Sequence, residues 1–180
     1  MTDKLFFDTD CLSAFLWIND TNLLEQQYGG NIVIPGPVYT ELSNPCIPHI
    51  KSRTDILLNK AAASVYQIET DQEEYQLYRE LIRGTKDGKA IGKGEAAGIA
   101  LAKTYNGILA SNNWKDIAPY IDKYNLKHID TGHILLEGLE KGLITEREGN
   151  LIWQKMLNRN RKLPEATFSE YIKKGIGKSV

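Results

Sequence analysis

The sequence is short of the residues that staple small folds or anchor a chain in a membrane. Its two cysteines, Cys11 and Cys46, fit neither a metal spacing nor a disulfide framework, so both read as buried or spare thiols in a reducing compartment. Of the three histidines, His128 and His133 lack a third ligand at zinc spacing, and His49 stands alone between Pro48 and Ile50 as a structural residue. No apolar run approaches the ~18 residues that span a bilayer. The opening MTDKLFFD holds an acid where a signal peptide carries a basic start and a long apolar stretch, so a cytoplasmic protein with no membrane partner is expected. A net charge of -1 gives the molecule as a whole no pull on a polyanion. Internal repeats and low-complexity tracts are missing too.

What remains is ordinary globular material. With 42% hydrophobic and 25% charged residues over 180 positions, the chain can bury one sizeable core without metal or disulfide support. Charge is unevenly spread. From Leu151 onward seven basic residues stand against two acids, about +5, which leaves about -6 on the rest. Such a tail can meet phosphate or can be a solvated helix face.

Short apolar strands alternate with helices along the chain. LFF (5–7), NIVI (31–34), VYQIE (65–69), GILAS (107–111) and LKHID (126–130) read as strands, the last the weakest. Helices are expected over CLSAFLWI, TNLLEQQY, PVYTELS, His49 to Ser64, DQEEYQLYRELIR, EAAGIALAKTY, WKDIAPYIDKY, GHILLEGLEK, the stretch after Thr145 and PEATFSEYIKK. Thr145 and Glu148 have capping-box spacing. Trp17, Tyr75, Tyr78 and Trp153 read as core rather than as base-stacking platforms. Strands, most of them apolar throughout and separated by helices, predict an α/β fold with a central parallel sheet of four or five strands covered on both faces.

Ligands in such folds sit at the carboxyl ends of the strands. Asp8 ends the first strand, Ser111, Asn112 and Asn113 end the fourth, Glu41 follows the second and Glu95 starts a helix on the same rim. Each acid has a plain alternative: Asp8 or Asp10 can cap a helix, Glu95 can answer a helix dipole, and Glu41 and Asp116 can be solvated. Gathered together they are costly. Two carboxylates ~5 Å apart repel by roughly 3 kcal/mol at an effective dielectric near 20. Oxygen donors in such a cluster favour a hard ion, Mg²⁺ or Mn²⁺, of the kind used in hydrolysis at phosphorus. The glycine-rich IGKGEAAG lacks the preceding strand that a dinucleotide loop requires, and Lys86, Lys89 and Lys93 beside it fit either phosphate contact or a solvated loop.

Four stretches, LFFDTDCLSAF, VIPGPVYTEL, GKGEAAGIALA and ILASNNWKDI, together resemble the ordered signatures of the PIN-domain family, and DTGHILLEGLEKGLI is similar to its late helix. The resemblance covers about residues 4 to 145, and residues 146–180 are expected to be a helical extension of the same domain, packed on the edge or used in assembly. It implies a PIN-like, Rossmann-like three-layer sandwich. It also implies a Mg²⁺- or Mn²⁺-dependent ribonuclease that leaves a 5′-phosphate and a 3′-hydroxyl, with RNA as substrate, a toxin's place in a toxin–antitoxin pair, a small antitoxin partner and a homodimer. Asp8, Glu41, Glu95 and Asp116 would be the catalytic and metal-binding acids, with Asn113 supporting the metal. Thr9, Asp10, Ser111 and Asn112 would support the site. The chain departs from the pattern at Ala97, where many members carry a second acid, and at Asn112 and Asn113, where some carry one. A catalytically degenerate PIN-like fold acting as a protein- or nucleic-acid-binding module is the alternative.

Overall fold

The computed structural model describes residues 3–84 and 89–175. Three buried residues make the first strand, β1 (Leu5–Phe7), which passes through Asp8 into α1 (Thr9–Trp17). A second helix, α2 (Asn22–Tyr28), stops at Gly29, and Gly30 takes the φ of 84° that turns the chain into β2 (Ile32–Pro35). That strand runs directly into α3 (Gly36–Leu42), with Pro37 in the first turn, where no N–H is needed. There follow α4 (Pro48–Asn59), β3 (Ala63–Tyr66), α5 (Glu73–Arg83), α6 (Lys93–Thr104), β4 (Ile108–Ala110) and α7 (Trp114–Tyr124). The chain closes with β5 (Lys127–Ile129), α8 (Thr131–Glu140), α9 (Glu146–Asn158) and α10 (Phe168–Lys174).

All five strands are parallel, in the order β3-β2-β1-β4-β5. The alternation of side chains along a strand divides the core in two. Leu5, Phe7, Ile32 and Ile34 face a layer built from α1, α2, α3, α4, α8, α9 and α10. Phe6, Val33 and Leu109 face α5, α6 and α7. This is the α/β three-layer sandwich expected from the sequence.

Two boundaries differ. The last helix, expected from Pro164, begins at Phe168, where the Thr167 side chain caps it. The helix expected to reach Ser64 ends at Asn59, and the strand expected at 65–69 occupies Ala63–Tyr66. Ala61 takes a φ of 54°, breaking the helix early, and Ala63 then pairs with Ile32. Pro35 pairs with Tyr66 and the next residue begins α3, so Gln67–Glu69 have no neighbouring strand to join.

The last helices belong to the main core: Trp153, Met156, Phe168 and Tyr171 are fully buried in the same cluster as Leu5 and Phe7. Gly132 makes this seat possible, since a Cβ there would collide with the Tyr171 ring. The polar tips are satisfied as well. Trp153 Nε1 donates to the Glu165 carbonyl at 2.9 Å, and the Tyr171 hydroxyl donates to Asp130 Oδ1 at 3.1 Å. The capping box forms, with Glu148 N donating to Thr145 Oγ1 at 3.2 Å and Thr145 N to Glu148 Oε2 at 2.7 Å. Lys86 and Lys178 lie outside the described residues.

Candidate active site

In this strand order the topological switch falls between β1 and β4, the point where an open parallel sheet leaves a crevice at its carboxyl edge. Asp8 and Ser111 are the residues that follow those two strands. Asp8 is only 2% exposed and caps α1, its Oδ1 accepting from Cys11 N at 2.7 Å. Its Oδ2 accepts from the hydroxyl of Ser111, itself fully buried. Asn113 N donates to Ser111 Oγ at 3.2 Å, and the Asn113 side-chain amide donates to Glu95 Oε1 at 3.1 Å and Asp116 Oδ2 at 2.8 Å. A single hydrogen-bonded chain thus links Asp8, Ser111, Asn113, Glu95 and Asp116, contributed by the ends of β1 and β4 and the first turns of α6 and α7.

Glu41 joins from α3 through Thr9, whose hydroxyl donates to Glu41 Oε2. Gly94 allows this approach: a Cβ there would lie 3.2 Å from Thr9 Oγ1 and 3.6 Å from Glu41 Oε1. Glu41 itself is exposed and lines a neighbouring cavity with Pro37, Gln67, Tyr78 and Lys93. Asp10 is exposed in the first turn of α1 and leaves the capping to Asp8. It lines an open cavity of about 520 Å³ with Asn113, Asp116, Lys89 and Lys115.

Burial pushes the Asp8 carboxyl up to about 7. The hydrogen bonds from Ser111 and Cys11 N pull the other way, while the negative charges of Asp10 and Glu95 add to the rise. A carboxyl poised between its two protonation states at neutral pH, at a crevice, marks a functional-site candidate.

A family model described as a PIN domain matches residues 4–175. The chain belongs to the PIN-domain family. The match reaches into α10, beyond the stretch in which the sequence signatures were found. The comparison with curated proteins finds no match. PIN domains are generally nucleases, they act on nucleic acids, and they usually use divalent metals. No described helix of this PIN domain is long and apolar enough to cross a membrane.

The donor set of this PIN domain suits a hard divalent ion in its chemistry: four carboxylates and an amide, all oxygen donors, with no imidazole or thiolate among them. In spacing it is looser. Among the described residues no three His, Cys, Asp or Glu side chains are gathered closely enough to hold an ion as they stand. Between Glu95 and Asp116 the Asn113 amide donates to both, and its partial positive charge offsets their mutual repulsion. Asn112 faces elsewhere: its Nδ2 donates to Thr131 Oγ1 and its Oδ1 accepts from Thr131 N, both at 2.9 Å, tying the loop to α8. Ala97 is fully buried, so the position taken by an acid in other members holds a core methyl here.

Sequence reasoning did not single out Thr131, although it opens α8 two residues past the end of β5, on the rim where Ser111 follows β4. It also passed over Trp114, in plain view directly after Asn113. The proximity of Arg161 and Lys162 to the acids, across the same cavity, had no local signal.

Proposed function

We propose that this PIN-domain protein is a Mg²⁺- or Mn²⁺-dependent endoribonuclease that hydrolyses RNA phosphodiester bonds, and that it serves as the toxin of a type II toxin–antitoxin pair. The observation that carries the reading is the buried Asp8 carboxyl, linked through Ser111 and Asn113 to Glu95 and Asp116 at the switch point. Asp8, Glu41, Glu95 and Asp116 would hold the ion, with Asn113 beside them. When bound, such an ion lowers the pKa of a water and offsets charge on a phosphate and its leaving oxygen. The chain's own part is placement. β1 and β4 fix Asp8 and Ser111 more tightly than loops could, and Ser111 orients the Asp8 carboxylate through Oδ2. Thr9 holds Glu41 toward the N-terminus of α6. No histidine or nucleophilic side chain is required.

The direct test is cleavage of end-labelled RNA by the full chain, with chelator and with added Mn²⁺, beside the Asp8→Asn variant. Cleavage that needs the ion and disappears in Asp8→Asn is expected. Equal rates for parent and variant at saturating Mn²⁺ would refute the proposal. The toxin role predicts that expression of the parent arrests growth while Asp8→Asn does not, and that a small antitoxin relieves the arrest. The family resemblance supports a homodimer, to be read by light scattering as twice the chain mass.

One observation favours the second reading, a degenerate PIN fold kept as a binding module: no described group of three acids is close enough to hold an ion. Calorimetry separates the two. Heat of Mn²⁺ binding that vanishes in Asp8→Asn supports the nuclease, and no heat with the parent supports the module.

A further inference from the structure

Beside the acids stands an aromatic ring that the hydrolytic chemistry does not use. Trp114 is the first residue of α7, between Asn113 and Lys115, and it is 56% exposed, the most exposed large hydrophobic side chain among the described residues. Trp153, by contrast, is fully buried, and Trp17 is half-buried against the core. The Trp114 ring is braced rather than loose. Its centroid lies 5.5 Å from that of His128, at an interplanar angle of 44°, and His128 Nε2 bonds the Ser111 carbonyl at 2.8 Å. The ring is therefore tied to the same loop that carries Ser111 and Asn113.

On either side of Trp114 in the chain, Asn113 and Lys115 line a cavity of about 520 Å³, at whose edge the ring stands. Lys89, Lys115, Arg161 and Lys162 line that cavity together with Asp10 and Asp116. Three separate segments supply those cations: the approach to α6, the first turn of α7 and the connection between α9 and α10. Arg161 is held in place, its guanidinium 5.3 Å from the Trp17 ring centroid and its Nε donating to the Arg159 carbonyl at 3.1 Å. A protein-binding patch centres on apolar residues and is depleted of lysine, whereas here one exposed ring stands next to a cavity lined by lysines, an arginine and amides. Exposed aromatics interleaved with cations that track a backbone are the features that bind single strands, because every unpaired base offers a π-face and every nucleotide a phosphate.

We propose that Trp114 is a stacking platform for an unpaired base of a single-stranded nucleic acid whose phosphates run along Lys89, Lys115, Arg161 and Lys162. The proposal rests on the reading of this site as one that cleaves nucleic acid, and it assigns Trp114, a residue outside the hydrolytic set, to hold one unpaired base of that substrate. A base-paired duplex, whose faces are already stacked, cannot use the ring.

The test is a binding titration of the full chain in chelator, so that no cleavage intervenes, with a labelled oligoribonucleotide of about ten residues. Anisotropy of the label gives affinity, and tryptophan emission reports the ring. In the parent, binding quenches the emission. Trp114→Ala abolishes the quench and weakens binding about 5- to 100-fold, the range set by stacking of one base. Trp114→Phe keeps most of the affinity, which a structural role for the indole would not predict. Because Trp114→Ala removes no charge, its dependence on salt matches the parent's, while Arg161→Ala/Lys162→Ala flattens that dependence by about one phosphate contact or more. A single-stranded DNA of the same sequence also quenches, and a duplex does not. The proposal is overturned if Trp114→Ala binds as the parent does, or if duplex binds as tightly as single strand. Quenching without any cleavage under Mn²⁺ would sink the nuclease reading and leave the platform standing; cleavage with no Trp114 dependence would do the reverse.

Discussion

Asp8 makes the folded protein carry a penalty that one substitution can expose. Folding raises its pKa from 3.8 to about 7, so the folded state favours the protonated acid. The sign follows: this stabilisation is fully present below about pH 4 and is lost as pH rises through 7. A difference of about 3 pKa units at about 1.4 kcal/mol each puts the full penalty near 4 kcal/mol by pH 8. Asn at this position still caps α1 by accepting from Cys11 N, while its Nδ2, in the place of Oδ2, donates to Ser111 Oγ instead of accepting from it, and the neutral group gives back about 1 kcal/mol of hydrogen-bond energy. Metal-free Asp8→Asn is therefore more stable than the parent by about 2–4 kcal/mol at pH 8. For a domain of this size that is a rise in melting midpoint of roughly 4–15 °C.

The gap should shrink steadily as the pH is lowered and vanish near pH 4. The assay is thermal unfolding by circular dichroism in chelator, for both proteins, from pH 4 to pH 8.5. Saturating Mn²⁺ should then raise the parent's midpoint at pH 8, by about 2.7 kcal/mol at a hundredfold excess over Kd, and leave the variant's unchanged. A variant no more stable than the parent at pH 8, or a gap that ignores pH, would refute the account of Asp8 as a carboxyl held in a site too dry and too negative for it.

Other changes separate neighbouring roles. Ser111→Ala strips the hydroxyl from Asp8 Oδ2, which costs about 1–3 kcal/mol and moves the inflection of stability near pH 7 to higher pH; an unmoved inflection in the pH profile counts against it. Asn113→Asp replaces the amide between Glu95 and Asp116 with a charge. It should lower metal-free stability by up to about 3 kcal/mol and tighten Mn²⁺ binding by calorimetry, and unchanged affinity would remove Asn113 from the metal's surroundings. Tyr171→Phe loses the hydroxyl donated to Asp130 at 3.1 Å and should lower the melting midpoint by about 2–6 °C without altering secondary structure. No shift would mean the hydroxyl is not needed to seat α10.

The middle of the sheet was legible because its three central strands are apolar: LFF, IVIP and ILA have only one way to avoid water, and they took it. The end of each strand then pointed to the rim, and Asp8, Glu95 and Asp116 could be placed there before any coordinates. What resisted reading was relational. The ends of β3 depended on which residues of β2 remained to be paired, and no window around Ser64 contains Pro35. Asn112 and Asn113 are adjacent and chemically identical, yet one faces α8 and the other the acids, a choice made by Thr131 and Glu95 from distant segments. Arg161 and Lys162 counted only toward a basic tail until the α9–α10 connection laid them on the cavity that Asp10 also lines.

The central place of β1 bears on how the protein is made. Its two neighbours are β2 and β4, and Phe6 pairs with Val33 on one side and with Leu109, about a hundred residues downstream, on the other. At a synthesis rate of about 5–20 residues per second, β1 waits roughly 5–20 s on the ribosome for its second partner. Until then Asp8 has no Ser111 and the crevice has only one wall. The sheet order thus acts as a clock: a chain interrupted anywhere before β4 carries Asp8 and Glu41 but cannot assemble the site, which waits for the last two-fifths of the chain.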